Sequence, residues 1–326
     1  MSPYCDEYGG AVLNVTIDRY AYAFIEPSED GSVIFVARDL GTEERFPCEP
    51  GAVGKGGRLM LHAGVYARMM HTYNDDHPLP LKVTTYVEAP AGSGLGSSSS
   101  LVVALVEAFR TLLELPLGLY DVAHLAYEIE RLDLGLAGGK QDQYAAAFGG
   151  ANFIEFLPND RIIVNPLRVT RSHMNEFEAS LVTCFTGVSR RSDTIIAEQQ
   201  RRMVAHSSDS IASLHQIKHA AMEMKQALLR GEICHMGEIL NRAWAAKKRT
   251  ADGISTGQIE EIYQLAMQSG ALAGKVSGAG GGGFLMFVVP PESRVGLIAA
   301  LQKSGALATP VHFATEGAES WSVDRD

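Results

Sequence analysis

Apolar and polar positions alternate through Val12, Val15 and Ile17 and then through Tyr20, Tyr22 and Phe24, which predicts one strand over 10–25. Short strands follow at 33–36 and 43–46, then a helix over 58–73 and an alternating strand over 83–87. Leu101, Val102, Leu105, Ala108, Phe109 and Leu112 recur at helical spacing. So do Val122, Leu125, Ala126, Ile129 and Leu132, which predicts a helix over 119–132 with those five on its apolar face. Strands at 151–156 and 161–164 lead to a polar stretch at 170–175, read as a domain boundary, and a strand at 179–185 opens a second unit. Helices at 193–207, 211–229, 233–250 and 258–268, a strand at 284–289, a helix at 294–303 and a strand at 311–314 complete it. The order is α+β, with domains expected at 1–172 and 173–326.

Length and charge narrow the function. A chain of 326 residues can bury the cores of two ordinary domains. A net charge of -10, with no run of Lys or Arg, argues against a nucleic-acid partner, so an anionic ligand would be held by local charges. Cys5, Cys48, Cys184 and Cys234 stand far apart without a C-x-x-C pair, which suits reduced thiols in a cytoplasmic protein. No apolar run has the length of a membrane span, so no membrane partner is expected.

The chemistry begins at 90–100, P-A-G-S-G-L-G-S-S-S-S, set between the strand ending at Val87 and the helix that starts near Leu101. Glycines let a backbone approach a ligand closely, and a helix N-terminus offers unpaired N–H groups and the positive end of its dipole to an anion. Phosphate is the candidate. A Walker loop would end in Gly-Lys-Ser or Gly-Lys-Thr, but four serines follow Gly96; the glycines at 92, 94 and 96 also miss the G-x-G-x-x-G spacing. A flexible linker or a plain serine cap are the bland readings.

Further along, a helical wheel places Glu130 at the edge of its helix's apolar face near Ala126, while Glu128 points the other way. A carboxylate bordering buried surface needs a partner, with Arg131 and Lys140 as local candidates. The glycine-rich run L-G-L-A-G-G-K-Q-D-Q brings Asp142 into the first turn of a short helix, where a cap is one role. Lys140 could lower the pKa of Asp142 or meet a phosphate, with Gln141 and Gln143 as support. Thr186 to Ser192, T-G-V-S-R-R-S, is a hydroxyl-rich basic turn at a helix mouth, either an anion cradle or a capping segment in solvent. Lys275 to Phe284, K-V-S-G-A-G-G-G-G-F, implies close backbone approach to a ligand or a neighbouring domain. Trp244 reads as core, and Lys247 and Lys248 as complements to a helix dipole.

The stretch P-A-G-S-G-L-G-S-S resembles the second motif of the GHMP small-molecule kinases, P-x-G-x-G-L-G-S-S, which wraps the phosphates of ATP. This implies the GHMP kinase fold: a ribosomal-protein-S5-domain-2-like N-terminal domain and a ferredoxin-like α+β C-terminal domain. It also implies ATP and Mg2+ as cofactors. Pro90, Gly92, Ser93, Gly94, Leu95, Gly96, Ser97, Ser98 and Ser99 would meet the nucleotide, Ser98 and Glu130 the metal, and Asp142, twelve residues beyond Glu130, the acceptor hydroxyl beside Lys140. The family's sugar-phosphate members carry T-G-x-S-R, which implies that Thr186, Gly187, Ser189, Arg190 and Arg191 hold a substrate phosphate, with Gly280 and Gly281 of the third motif also facing substrate. The motifs together most resemble the family's heptose 7-phosphate kinases; galactose, fucose or mevalonate kinases and a catalytically silent member are the alternatives. The resemblance further implies an upstream strand and a G-G-G-T-D loop ending where Met1 stands, so a start further upstream, a shortened chain and a real loss are three readings. A homodimer is compatible with the sequence but not specified by it.

Overall fold

The computed structural model describes residues 3–54, 56–188, 193–205 and 208–323. A short helix α1 (Tyr4–Tyr8) precedes strands β1 (Gly10–Val15), β2 (Ala21–Pro27), β3 (Val33–Ala37) and β4 (Thr42–Phe46). Helix α2 (Met60–Tyr73) leads to β5 (Leu81–Val87), then α3 (Ser97–Leu112) and α4 (Leu119–Tyr127), which runs on as a π-helical turn over Glu128–Asp133. Next come α5 (Gln141–Phe148), β6 (Ala151–Leu157), β7 (Arg161–Pro166), α6 (Arg171–Ala179) and β8 (Leu181–Phe185). Four helices follow: α7 (Asp193–Val204), α8 (Ser208–Arg230), α9 (Ile233–Lys248) and α10 (Gly257–Gln268). The chain closes with β9 (Ala273–Val276), β10 (Phe284–Val288), α11 (Arg294–Lys303) and β11 (Leu307–Pro310).

The expected strand over 10–25 is two strands in two sheets. β1 joins the order β1-β6-β7, while β2 joins β2-β5-β3-β4, in which β3 and β5 run parallel. Between them, residues 16–18 pair with the end of the chain: Asp18 N–H donates to His312 O and Ala314 N–H to Thr16 O. The strand expected at 311–314 is therefore only an isolated bridge, Ile17 to Phe313, and the ladder beside β8 is β11. The third sheet, β11-β8-β10-β9, is antiparallel throughout, the strand order of a ferredoxin-like βαββαβ unit.

Alternation on these strands builds the cores. Val33, Phe35 and Val83 meet Met69 of α2, Leu105 and Phe109 of α3 and Ile129 of the π-helical turn. On β8, Val182 and Cys184 face α10 and α11, while Leu181 faces the opposite side with Leu228 of α8 and Ile239 of α9. Each fully buried leucine or phenylalanine among these contributes about 1.5–3 kcal/mol. Trp244 is buried, as expected.

The structure refines one local reading and corrects another. The polar stretch at 170–175 is the start of α6, capped by Thr170, whose Oγ1 accepts from the backbone N–H of His173 at 3.4 Å. Leu132, expected on an apolar face, is 63% exposed. The cause is the π-helical turn: Leu134 N–H reaches back five residues to Ile129 O, which rotates the residues after it off the 3.6-residue wheel. Arg68 of α2 holds this turn from outside, bidentate on Asp133 at 2.7 and 2.8 Å and 3.1 Å from Glu128 Oε2.

Candidate active site

The glycine-rich loop joins β5 to α3 with Gly96 in the left-handed N-cap position. Ser97 Oγ donates back to Pro90 O at 3.2 Å, and Ser93 N–H to the same oxygen at 3.1 Å, so Pro90 anchors the loop's curl. Ser93 is fully buried, and its hydroxyl has no protein partner. The first N–H groups of α3 have no acceptor within the helix and open toward the loop.

The third glycine cluster lies directly on this loop. Ser277 Oγ donates to Gly94 O at 2.8 Å, and Phe284 N–H to Ser93 O at 2.8 Å. Gly94 has φ 82, and a Cβ there would stand 2.7 Å from Ser277 O, so two backbones meet where no side chain fits. The turn after β8 joins the same stack, because Thr186 N–H donates to Gly283 O at 3.0 Å and Gly283 N–H to Val188 O at 2.9 Å. Thr186 is buried and Gly187 lies in this turn; Ser189, Arg190 and Arg191 fall outside the described residues. Gly280 and Gly281, expected to face substrate, lie against Ile254, whose carbonyl takes the Gly281 N–H at 2.9 Å and would stand 2.9 Å from a Cβ on Gly280.

Glu130 sits at the centre of the site with no exposed surface. Ser98 Oγ donates to its Oε1 at 2.7 Å and Ser99 Oγ to its Oε2 at 2.7 Å, while Gln143 Nε2 donates to Oε2 at 2.6 Å. Gln143 thus supports the site, though through Glu130. The helical wheel found the inward direction of Glu130; Glu128, as expected, points away and pairs with Arg68.

Asp142 packs its Cβ 3.3 Å from the position a Cβ would take on Gly96, at the mouth of the loop. Its Oδ1 accepts from Gln141 Nε2 at 3.1 Å. Burial pushes its pKa up, and the charge of Glu130 adds to that; the Gln141 hydrogen bond and the Arg131 charge pull the other way. Lys140, expected beside Asp142, turns to Asp160 at the tip of the β6–β7 hairpin, with Asp6 3.6 Å away and the Tyr127 ring 5.1 Å away. The structure does not bring Lys140 to Asp142.

Two groups escaped the sequence reading. Lys247, taken for a dipole complement, extends Nζ to Val276 O at 3.4 Å and to Gly278 O, gripping the third cluster from α9. Burial, then the charge of Lys275, lowers its pKa to about 7. Arg131 was considered only as an ion-pair partner; it touches both Glu130 and the turn before Asp142. No local signal marks either group, since both act on backbone carbonyls brought near by folding.

The donor set suits a magnesium ion carried in with phosphates. One carboxylate and one hydroxyl, both hard oxygen donors and 2.7 Å apart, stand beside a phosphate-type loop. Among the described residues no cluster of three or more His, Cys, Asp or Glu could hold a metal by itself.

Residues 61–150 match the family model for the GHMP kinases N terminal domain, and residues 224–307 that for the GHMP kinases C terminal domain. A D-glycero-alpha-D-manno-heptose 7-phosphate kinase of Campylobacter jejuni is 42% identical over 98% of this chain and 93% of that protein. The crystal structure of a D-glycero-D-manno-heptose 1-phosphate kinase from Bacteroides thetaiotaomicron, 41% identical, superposes with a TM-score of 0.83 over 100% of this chain and 94% of that one. Lactococcus lactis galactokinase complexed with galactose, 19% identical over 99% of this chain and 92% of that one, has a TM-score of 0.76 and shares the fold.

Proposed function

The chain belongs to the GHMP kinases, and on that premise we propose that it transfers a phosphoryl group from ATP to the anomeric hydroxyl of D-glycero-D-manno-heptose 7-phosphate. One observation carries this reading: Ser98 Oγ and Glu130 Oε1 lie 2.7 Å apart at the end of the glycine-rich loop, with Asp142 packed on Gly96 of that loop. Two relatives at 42% and 41% identity are named as kinases of a heptose phosphate, one of the 7-phosphate and one of the 1-phosphate, which supports the acceptor class.

Phosphoryl transfer asks chiefly for neutralised charge and an acceptor held in line. In this reading Pro90, Gly92 and Ser93 to Ser99 form the phosphate cradle, chiefly through backbone N–H groups. Ser98 and Glu130 hold Mg2+. When bound, the ion supplies charge neutralisation on the transferring phosphoryl group. Gln143 and Ser99 keep Glu130 aimed by donating to Oε2. Asp142, whose Oδ1 is engaged by Gln141, offers Oδ2 to accept the proton of the anomeric hydroxyl as its oxygen attacks. Thr186 and Gly187 begin the turn that would take the distal phosphate, with Ser189, Arg190 and Arg191 as the donors of suitable chemistry. Lys140 is assigned to anchoring the β6–β7 hairpin rather than to catalysis. In this reading the domains divide near residue 172, between the segments matched at 61–150 and 224–307. In this reading the protein acts in the cytoplasm on a small sugar phosphate. Among the described residues no helix is long and apolar enough to cross a membrane.

The test is ADP release from Mg-ATP with heptose 7-phosphate, set against galactose, fucose and mevalonate. Turnover with heptose 7-phosphate alone is expected. Turnover with another acceptor instead would reassign the substrate, and ATP binding without turnover of any of them would reduce the protein to a nucleotide-binding member of the fold.

A further inference from the structure

We propose that Arg131 is a positioning residue whose guanidinium locks the Glu130 carboxylate and the turn carrying Asp142 into one arrangement; this rests on the kinase reading above. Arg131 follows Glu130 in the π-helical turn, and its side chain is only 11% exposed. Nη1 lies 3.3 Å from Glu130 Oε1, and Nη2 donates to Ser99 Oγ at 3.4 Å. The rest of the fork faces the turn between Asp133 and Lys140. Nε donates to Gly139 O at 3.2 Å, and Nη1 to Ala137 O at 3.2 Å and Leu136 O at 3.5 Å. Gly138 lies flat against the guanidinium: a Cβ there would fall well inside contact with Arg131 Cζ, so the turn closes on the fork only because residue 138 lacks a side chain.

This turn is glycine-rich, and backbone carbonyls of three of its residues converge on Arg131. A turn of that composition has many conformations, and after Lys140 and Gln141 it delivers Asp142 in the first turn of α5, so its placement depends on how firmly the turn is held. Arginine suits the task because its planar fork presents several donors in fixed directions and stays charged. One cation thereby ties the carboxylate assigned to the metal to the carboxylate assigned to the acceptor. A lysine could balance Glu130 but could not span the carbonyls.

The test compares Arg131→Ala, Arg131→Lys and Gly138→Ala with the parent by kinetics, thermal melting and hydrogen exchange. Misplacing a reacting group by about 1 Å costs on the order of 10²-fold, so kcat should fall about 10²-fold in R131A with KM for ATP and for the sugar changed by less than about threefold. Free guanidinium, well below denaturing concentrations, should restore part of kcat in R131A and none in G138A, where the side chain is displaced but present. Amides of 134–142 should exchange faster in R131A and G138A while those of α3 keep their protection. If R131A fails to fold, R131K takes its place, keeping the charge but losing the fork, with the same loosening of 134–142 and a smaller loss of kcat. Unchanged exchange at 134–142, or kcat within about twofold of the parent, overturns the proposal. A parent without kinase activity would count against the proposed function alone, because hydrogen exchange still decides whether Arg131 holds the turn.

Discussion

Ser98 and Glu130, 32 residues apart in sequence, are joined by a 2.7 Å hydrogen bond from the serine hydroxyl to Oε1 in a setting where the carboxylate has no exposed surface. A buried carboxylate without a countercharge is costly, and here three neutral donors and the edge of one guanidinium share the task of stabilising it. On the proposed reading this carboxylate receives Mg2+.

Glu130→Gln should therefore weaken the metal more than the fold. The amide preserves shape, and one of its ends can still accept from Ser98 or from Ser99 and Gln143. Removing a preorganised electrostatic group of this kind costs about 10² to 10³ in kcat. The Mg2+ concentration giving half-maximal rate should rise, as measured by titrating Mg2+ at fixed ATP; an unchanged Mg2+ requirement would remove Glu130 from the metal site.

Asp142→Asn tests the base. Loss of general-base catalysis costs about 10² to 10⁴ in rate, whereas a smaller loss means that Asp142 only orients the acceptor. Its pKa is raised from the ordinary 3.8, chiefly by burial, so kcat should fall with acid over a range above that of an exposed aspartate. The folded protein binds this proton more tightly than the unfolded chain. Stability from the group is therefore complete below 3.8 and is lost as pH rises through the raised folded value. At neutral pH, D142N should melt higher than the parent, and the difference should vanish in acid.

The glycine loop, the inward direction of Glu130 and the close backbone approach at the third glycine cluster were legible because each depends on local composition or spacing. The division of 10–25 was not. The apolar positions slip from 15 and 17 to 20, 22 and 24 across Asp18 and Arg19, a slip that was read through as one strand, and the pairing that divides it comes from His312 and Ala314 at the far end of the sequence. Leu132 was misplaced because a π-helical turn leaves no mark on a wheel drawn at 3.6 residues per turn. Lys140 was drawn to Asp142 by proximity in sequence, whereas its partner Asp160 reaches it from a hairpin tip. The start of α6 was readable: threonine at 170 with its hydroxyl on the third residue onward is an ordinary cap, but polar clustering was weighed above it.

Gly94→Ala should damage the stack between the two glycine clusters. The added Cβ would stand 2.7 Å from Ser277 O at a φ of 82, combining backbone strain with overpacking, each about 1–3 kcal/mol. Gly41→Ala is the control, because Gly41 has φ 57 and open space around its Cβ position. Melting should fall in both variants, further in G94A, and only G94A should lose affinity for ATP by calorimetry. Equal behaviour of the two would mean that the contact with Ser277 is incidental.

Lys247→Met addresses the same stack from α9. The lysine holds Val276 O and Gly278 O on either side of Ser277, whose hydroxyl reaches Gly94 O. Losing these hydrogen bonds, worth about 0.5–1.5 kcal/mol each, should raise KM for ATP by up to about tenfold, with a smaller effect on kcat. Its pH signature separates this role from simple packing. The folded protein holds the Lys247 proton less tightly than the unfolded chain, with a value of about 7 against 10.5, so between those limits the unfolded state binds more protons and stability climbs with pH. In K247M that climb should flatten, with Lys275, also lowered by burial, supplying what remains. A variant whose melting temperature rises with pH as steeply as the parent's would show that Lys247 is solvated and that its reach to the third cluster does not hold the loop.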